Sequence, residues 1–315
     1  MPSVLPLTHQ SIEEAAAALR AGNLAVFPTE TVYGLGANAT DDQAVAKIYE
    51  AKNRPSFNPL IIHFPDIESV RQMADMAPQV EQLAAHFWPG AISFVLPRKP
   101  DCPLSKLVSS GLPTFAARVP ALESAQLLLR AAGIPVAAPS ANSSGRISPT
   151  QAAHVADDLG NKIHIILDGG PCTIGVESTV IDLTKKVPTI LRPGGVTQEE
   201  IEAVLQQSVA VASSNETSPE SPGMLLSHYA PSLPVRLNAT SSNTREVYLG
   251  FGDTAGAKIN LSAGGDLTEA AANLFAYLNK LDDPQWSGIA VAPIPEEGLG
   301  RAINDRLRRA AAPRR

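Results

Sequence analysis

One stretch of the sequence, residues 52–63, constrains the fold most strongly, because its two prolines set where a helix ends and where a strand begins. A helix is predicted over residues 42–52, since apolar side chains recur there every three or four positions. Pro55 disfavours helical backbone at the residue before it, so this helix should end near Arg54. The apolar run at the end of the stretch predicts a short strand.

Two cations, Lys52 and Arg54, lie one residue apart at the predicted end of this helix. Cations are common in the last turn of a helix, where they face the negative end of its dipole. The same pair could instead bind an anionic ligand, because lysine supplies a point charge and arginine a two-pronged donor. The stretch alone leaves both interpretations open.

The rest of the chain divides into predicted helices and strands by the same kind of pattern. Residues 11–14 are predicted to be a capping box for a first helix that Gly22 closes, and residues 28–39 a polar, glycine-bearing loop. Residues 197–200 form a second predicted capping box. Further helices are predicted near 66–76, 79–87, 121–132, 150–159, 267–281 and 301–310, and strands near 24–27, 92–96, 113–119, 134–138, 163–167, 179–183, 189–191, 246–251, 257–261 and 288–293.

A change of composition divides the chain after the second capping box. Residues 208–223 are rich in Ser, Pro, Asn and Glu, as linkers are. A plain linker has no need of the pair His228-Tyr229 between prolines, so this pair is a candidate functional element. The alternating strands and helices that follow predict a small α/β domain.

The overall charge argues against a protein that binds nucleic acid in general. The 315 residues carry a formal net charge of −6 and only 5% of them are aromatic, so neither a broad basic surface nor a row of stacking rings is expected. Three arginines in the last predicted helix, Arg306, Arg308 and Arg309, are accordingly predicted to form a solvated face.

The cysteines and the apolar runs predict a cytoplasmic protein. Cys102 and Cys172 lack the spacing of a metal site, which fits a reducing compartment without a disulfide framework. The first residues show no signal-peptide pattern, and no apolar run is long enough to span a bilayer, so no membrane association is expected. The length allows two domains.

Several common site motifs are missing from the sequence. It contains no G-x-x-x-x-G-K-[ST] loop, no G-x-S-x-G turn and no H-E-x-x-H pair. Residues 34–39 match G-x-G-x-x-A, but these glycines do not join a strand tightly to a helix, so a dinucleotide site is not predicted. The six histidines are scattered and no metal site is expected; His63 is explained equally well as a core residue or as a ligand contact.

Polar side chains recur where the predicted strands begin or end. They include residues 29–33, 140–144 and 178–179, together with Arg118 and Arg192. Each loop alone is typical of turns, and an arginine at a strand end is often paired within the protein. Together the groups suit an anionic, hydroxyl-bearing ligand, since α/β sheets gather ligand-binding groups at strand ends.

Five motifs, taken in order, resemble those of the YrdC-type threonylcarbamoyl-AMP synthases. The resemblance extends over about residues 8–206, and residues 221–231 with the tail resemble the longer, two-domain branch of that family. The motifs are PTETVYGLG at 28–36, KxRP at 52–55 with NPL at 58–60, PSAN at 139–142, ESTV at 177–180 and LRPG at 191–194.

This resemblance implies a fold, a reaction and partners. The expected fold is α/β, with a YrdC-like twisted sheet around a large concave basic cavity and a small C-terminal α/β (Rossmann-like) domain. It implies a catalytic domain over 1–206, a linker or lid over 207–233 and the small domain over 234–315. The implied reaction joins L-threonine, bicarbonate or CO2 and ATP, with Mg2+, to give threonylcarbamoyl-AMP and pyrophosphate. The product would pass to the machinery that makes N6-threonylcarbamoyladenosine at position 37 of tRNA.

The resemblance also implies roles for individual residues, each matched to a family motif. Its catalytic set corresponds to Lys52, Arg54, Ser140 and Asn142. Its ATP-binding positions correspond to Arg54, Asn58, Thr114, Ser140, Ser148, Arg192 and Tyr229. Its L-threonine-binding positions correspond to Thr31, His63, Arg118, Ala138 and Ser178.

The charges fit this chemistry. Attack of a carbamate oxygen on the α-phosphorus joins two anions, so cations must offset their repulsion. Two other functions stay open from the residues. One is a tRNA-binding module without chemistry, which the net charge and the few aromatics disfavour. The other is a carbamoyl-phosphate-using transferase, which the lack of cysteine clusters disfavours.

Overall fold

The structure is a computed structural model that describes residues 3–55, 58–212 and 228–313. No helix in these ranges is long and apolar enough to cross a membrane. The α-helices are α1 (His9–Arg20), α2 (Asp42–Lys52), α3 (Ile67–Met73), α4 (Pro78–Phe87), α5 (Glu123–Ala132), α6 (Ala152–Leu159), α7 (Gln198–Leu205), α8 (Leu267–Leu281) and α9 (Gly300–Ala311). The strands are β1 (Ser3–Pro6), β2 (Ala25–Phe27), β3 (Gly34–Asn38), β4 (Ile61–His63), β5 (Ile92–Pro97), β6 (Thr114–Arg118), β7 (Val136–Ala137), β8 (Ile165–Asp168), β9 (Thr179–Asp182), β10 (Thr189–Arg192), β11 (Ala210–Val211), β12 (Val235–Arg236), β13 (Glu246–Gly250), β14 (Ile259–Asn260) and β15 (Gly288–Val291).

The strands form one large mixed sheet and one small parallel sheet. The large sheet has the order β1-β8-β2-β3-β7-β4-β6-β5-β9-β10-β11. It contains both parallel and antiparallel pairs: β4 runs parallel to β6, for example, while β6 runs antiparallel to β5. The small sheet has the order β12-β15-β13-β14, with all strands parallel. The predicted α/β class is therefore confirmed.

Helices cover both faces of the large sheet. On one face α1 and α5 pack on each other through small and apolar side chains such as Ala15, Leu19 and Leu128. On the other face α2, α3, α4, α6 and α7 enclose the main core, which includes Ile48, Leu83 and Ile201. The large sheet is thus the middle of three layers, which hides its apolar strands from water.

The helix predicted over 42–52 is confirmed, with both ends where the sequence places them. The carboxylate of Asp41 accepts hydrogen bonds from the backbone N–H groups of Gln43 and Ala44, which caps the first turn. Asn53 ends the helix in a left-handed conformation, and Arg54 follows outside it. The capping box predicted at 197–200 is also confirmed, because Thr197 and Glu200 bond each other's backbone.

Two local predictions near the N-terminus are wrong. The first helix begins earlier than residues 11–14 suggest, because Thr8 is its N-cap and Ser11 supplies the reciprocal bond. The segment predicted as a loop over 28–39 contains strand β3. Gly36 favours the close approach of β2 and β3: a Cβ there would lie only 3.1 Å from the ring of Phe27, so a larger residue would push its neighbours apart.

Three short strands, β1, β11 and β12, were not predicted. None has the alternating or continuous apolar pattern of a buried strand, and β11 is exposed along its length. Each pairs in parallel with a strand that at least one helix separates from it in the sequence, such as β1 with β8. Pairing across such distances decides their conformation, and a local pattern cannot reveal it.

The predicted solvated face of arginines in α9 is wrong for two of its three members. The side chain of Arg306 is fully buried and that of Arg309 is 9% exposed, whereas Arg308 remains 56% exposed. Arg306 lies on the same helical stripe as Ile303 and Leu307, which pack into the core of the small domain. Helical spacing therefore places this arginine on the apolar face of α9.

The C-terminal domain packs against the large-sheet domain through a continuous apolar cluster. Val32, Ile147 and Val176 from the large-sheet domain share this cluster with Phe275 of α8. Gly175 lies at the closest approach: its φ is +76°, and a Cβ there would lie 2.4 Å from the carbonyl oxygen of Ala271. This glycine lets α8 pack directly on the loop before β9.

We expect Gly175→Ala to destabilise the docked arrangement of the domains. Gly170 is a matched control, because its φ is also +76° but a Cβ there would meet no atom within 4 Å. Gly170→Ala should lower the free energy of unfolding by about 1–2 kcal/mol for its left-handed backbone alone. Gly175→Ala should cost a further ~1–3 kcal/mol because the new methyl group overlaps α8. Urea-induced unfolding measures both; equal losses would contradict the close packing.

Candidate active site

A cavity opens where the ends of several strands of the large sheet meet the C-terminal domain. Because the sheet is mixed, residues reach it from strand ends, such as His63 of β4 and Arg118 of β6, and from the segment before β9. The cavity has a volume of about 40 Å³. Its lining comprises Thr29, Val32, Gly34, Arg54, Ile61, His63, Arg118, Ala138, Pro139, Ser140, Glu177, Ser178, Arg192, His228 and Tyr229.

Backbone carbonyl groups hold two of the arginines of the cavity. Nε and Nη2 of Arg54 donate to the carbonyl oxygens of Asn58 and Pro59, over 3.2 and 2.9 Å. Nε and Nη2 of Arg192 donate to the carbonyl oxygen of Ser178, over 3.2 and 2.8 Å. Burial lowers the pKa of Arg54 to about 10, and it lowers the pKa of Arg192 as well. Both guanidinium groups still carry their charge at neutral pH.

Lys52 lies behind the cavity and fixes the loop that contains Ser140 and Asn142. Its ammonium group, 1% exposed, donates to the carbonyl oxygen of Ser140 over 2.6 Å and to that of Asn142. It forms no salt bridge with any residue in the described ranges. Burial, and then repulsion by Arg54, lower its pKa well below the usual value. An anion in the cavity would therefore be drawn to this corner.

Arg118 is held differently, because a carboxylate reaches it. Nη2 of Arg118 donates to Glu30 over 2.6 Å, and Nη1 donates to the hydroxyl of Thr31 over 2.8 Å. Burial would raise the pKa of Glu30, but Arg118 overcomes this effect and lowers it, so the pair is ionised. Thr31 thus adjoins the cavity through Arg118, while Thr29 lines it.

His63 faces the cavity as a neutral base. Its ring packs edge-on against Phe27, with 6.1 Å between ring centres. Burial, and then the nearby charge of Arg118, lower its pKa to about 3. A neutral imidazole offers one donor and one acceptor to a polar ligand. Ala138, next to it in the lining, leaves room that a larger side chain would fill.

Buried polar atoms without a hydrogen-bond partner gather around this cavity. Folded proteins satisfy nearly all such atoms, so a cluster of exceptions marks a place where a polar ligand would bind. Among the residues that the structure describes, the unpartnered atoms include both side-chain atoms of Asn58, Oδ1 of Asn142, Nδ1 of His63, Nδ1 of His228 and Oη of Tyr229.

His228 and Tyr229 belong to the end of the predicted lid that the structure describes; residues 213–227 of that lid lie outside the described ranges. Tyr229 is 1% exposed, and its ring stacks on Phe275 of α8 with 5.5 Å between centres. Pockets that bury small molecules usually have volumes of about 300–1,000 Å³. The cavity that His228 and Tyr229 line, at about 40 Å³, is far smaller than this.

The structure brings most of the predicted site residues to one place. Arg54, His63, Arg118, Ala138, Ser140, Ser178, Arg192 and Tyr229 line the cavity. Lys52, Asn142, Thr31 and Ser148 bond to residues of its wall or its loops. Thr114 does not line it, because it begins β6 whereas Arg118 ends that strand.

Sequence reasoning missed two charged residues of this site. Glu177 stands in the ESTV motif and lines the cavity, where it accepts a 2.5 Å hydrogen bond from Ser148 and a 2.8 Å bond from Arg306. Glu30 stands in the first motif and holds Arg118. The helical spacing of α9 could have shown that Arg306 lies on the buried face of that helix. No local pattern in the sequence indicates that Glu177 is its partner.

Fold and site together define a two-domain α/β protein with a buried cavity that three arginines line. A family model for Sua5, YciO and YrdC proteins, described as "Telomere recombination", matches residues 17–194. A second, described as "Threonylcarbamoyl-AMP synthase, C-terminal domain", matches residues 196–312. The chain belongs to the Sua5–YciO–YrdC family, as its motifs predicted, and to the branch with this C-terminal domain.

Individual relatives match over nearly the whole chain. The threonylcarbamoyl-AMP synthase of Bacillus subtilis is 43% identical over 98% of this chain and 95% of that protein. The enzyme of the same name from Pyrococcus abyssi is 42% identical over 95% of this chain and 94% of that protein. The crystal structure of P. abyssi Sua5 complexed with L-threonine has a TM-score of 0.91 and 39% identity, over 98% of this chain and 97% of that one.

We expect the stability of the protein to fall as the pH drops from 6.5 to 5, partly because of His63. The unfolded chain binds a proton at this side chain below about pH 6.5, whereas the folded chain does so only near pH 3. Protonation therefore favours unfolding, by an amount approaching ~1.4 kcal/mol per pH unit. In denaturant titrations over this pH range, His63→Gln should lose less stability than the wild type does. His86→Gln, a change at an exposed position, should lose as much stability as the wild type does. Equal slopes for all three proteins would refute a buried neutral His63.

Proposed function

We propose that this chain is an L-threonylcarbamoyladenylate synthase, a nucleotidyltransferase that converts L-threonine, bicarbonate or CO2 and ATP into threonylcarbamoyl-AMP and pyrophosphate. One observation carries the proposal: a single cavity gathers three arginines, with Lys52 behind it, in a chain whose relatives over nearly the full length bear that name. The relatives' names favour this enzyme over the two alternatives, an RNA-binding module or a carbamoyl-phosphate-using transferase.

The charges suit the proposed chemical step. The amino group of threonine adds to CO2 to give a carbamate, and a carbamate oxygen then attacks the α-phosphorus. The bond from that phosphorus to its bridging oxygen breaks, and pyrophosphate leaves. We assign Lys52, Arg54 and Arg192 to offset the negative charge that both reactants carry. No covalent nucleophile is needed, so Ser140 and Asn142 orient the reactants.

For ATP we assign the side that Arg54, Asn58, Ser140, Ser148 and Arg192 form. The unpartnered amide of Asn58 and the cations beside it support this assignment. Tyr229, which lines the cavity, and Thr114, which does not, complete the ATP set that the motifs predict. The small cavity volume implies that the segment with Tyr229 moves aside when the nucleotide enters.

For L-threonine we assign the side that Thr31, His63, Arg118, Ala138 and Ser178 form. Arg118 keeps two N–H donors beyond its hydrogen bonds to Glu30, Thr31 and Gly90, enough to bind a carboxylate. The methyl group of Ala138 leaves space for a small side chain. Valine, which lacks the hydroxyl of threonine, would leave buried polar groups unpaired and bind weakly.

Magnesium would reach this site on the phosphates of ATP. Mg2+ prefers carboxylate and phosphate oxygens, but both carboxylates of the site, Glu30 and Glu177, are held by arginines. No group of three or more His, Cys, Asp or Glu side chains within the described part of the chain could hold a metal ion. The residues present therefore fit a metal that the substrate carries, which would lower the charge of the triphosphate.

The chemical instability of the product indicates that another enzyme must use it promptly. A mixed anhydride of a carbamate hydrolyses readily, so we propose that it passes to the tRNA threonylcarbamoyl transferase machinery in the cytoplasm.

We also propose the domain division at 1–206, 207–233 and 234–315. The two separate sheets support it; in the part of the chain that the structure describes, β11 is the one strand of the large sheet beyond residue 206.

The direct test is pyrophosphate release by the full chain with no RNA present. Release that needs ATP, L-threonine and bicarbonate together supports the synthase. ATP consumption that ignores threonine, or that appears only with tRNA, would overturn it. L-Valine in place of L-threonine is the matched control for the threonine side.

Arg54→Ala should lower threonine-dependent pyrophosphate release at least ~100-fold, the scale of one lost electrostatic contact to a transition state. Arg54 follows the end of helix α2, and it lines the cavity. Arg130→Ala, an exposed arginine in the last turn of α5, is the control and should keep full activity. Steady-state assays measure both; near-normal turnover of the Arg54 variant would remove this residue from the catalytic set.

A further inference from the structure

One salt bridge joins the C-terminal domain to the wall of the cavity. Nε of Arg306, on α9, donates to Oε2 of Glu177 over 2.8 Å. The side chain of Arg306 is fully buried and that of Glu177 is 6% exposed, so solvent hardly screens the pair. The two residues come from different domains, 129 positions apart in the sequence. The charge balance of the cavity wall therefore depends on the docking of α9.

Glu177 differs from the other charged residues that line the cavity. The rest are cations: Arg54, Arg118 and Arg192. Burial alone would raise the pKa of Glu177, but Arg306 and then Arg192 hold it at about 2, so the carboxylate is ionised at neutral pH. An uncompensated carboxylate at this wall would repel a triphosphate, because charges interact strongly where water is excluded.

Arg306 is fixed where it can cancel this charge. Its Nη1 donates to the carbonyl oxygen of Pro193 over 2.8 Å and to Asp305 over 2.7 Å. Its guanidinium carbon lies 5.1 Å from the centre of the Tyr229 ring. The group thus touches the loop after β10, its own helix and the closing segment at once, and it cannot shift away from Glu177 without breaking these contacts.

Docking of the domains does not by itself explain a buried ion pair. Replacing such a pair with packed apolar side chains is often neutral or stabilising, since both charges must be desolvated. The interface already contains an apolar cluster in which Ile147 and Val176 meet Phe275. Leucine or methionine in place of Arg306 would extend that cluster. A role in the charge balance of the cavity accounts for the arginine instead.

We propose that Arg306 is a positioning residue for the triphosphate: by cancelling the charge of Glu177, the docked C-terminal domain makes the cavity able to bind ATP. The inference rests on the proposed function, because it requires ATP to bind here. It assigns a role to the second domain. The affinity of the catalytic domain for a polyphosphate depends on α9 being in place.

The test uses the full chain and a double-mutant cycle. The variants are Arg306→Gln, Glu177→Gln and the two combined, with Arg308→Gln as the control from the exposed side of the same helix. Calorimetry gives the Kd of ATP and, separately, of L-threonine; assays give kcat. Arg306→Gln should weaken ATP binding about 30- to 100-fold, the scale of one charge pair at intermediate dielectric, with L-threonine binding unchanged. The double variant should recover most of the ATP affinity.

This recovery separates charge compensation from a purely structural role. Glu177→Gln does not restore the contacts of Arg306 with Tyr229 and Pro193, so a structural defect would persist in the double variant. Equal loss of ATP and L-threonine affinity, or no recovery, would overturn the inference. If Arg306→Gln does not fold, Arg306→Lys keeps the cation and should bind ATP nearly as well as the wild type; a loss as large as that predicted for Gln would contradict the proposal.

The wild-type protein distinguishes the two proposals. If it releases pyrophosphate with threonine and bicarbonate, and Arg306→Gln binds ATP as tightly as Arg308→Gln does, only the role of Arg306 fails. If the wild type binds no ATP, the proposed function fails, and this inference fails with it.

Discussion

The cations of the cavity are held mainly by neutral oxygens of the backbone. Carbonyl groups receive the donors of Lys52, Arg54 and Arg192, and no carboxylate lies within salt-bridge distance of Lys52 in the described part of the chain. A carbonyl fixes the position of a cation without cancelling its charge. The protein can therefore keep Lys52 and Arg54 as buried cations that form no salt bridge within the described residues, at the expense of pKa values that burial lowers.

The mixed sheet makes this concentration possible. In a parallel sheet only the carboxyl ends of strands face a ligand, whereas here β6 ends beside the start of β5, which in turn pairs with the start of β9. Groups that precede and follow strands therefore meet, as Nε of Arg118 at the end of β6 does with the carbonyl oxygen of Gly90 before β5, over 3.2 Å. The site depends on these antiparallel steps between otherwise parallel pairs.

The sequence predicted those parts of the fold and site that local chemistry decides. The end of α2 at Lys52 follows from Pro55 and helical periodicity, and some motif residues that line the cavity stand beside an apolar run, as Ser140 and Ser178 do. The pairing of β3 with β7 and the burial of Arg306 against Glu177 depend on partners far away in the chain. A local pattern contains no information about such a partner, so both predictions failed for the same reason.

The distance between Glu177 and Arg306 has a consequence for synthesis on the ribosome. The carboxylate leaves the ribosome 129 residues before its guanidinium partner, which corresponds to roughly 6–26 s at ~5–20 residues per second. During that interval the nascent first domain can form its sheet while the carboxylate lacks its counter-ion and the surface around Val176 has nothing to cover it. Glu177 of the cavity wall therefore gains its counter-ion only late in translation. A prematurely terminated chain that lacks α9 would leave the ribosome without that counter-ion.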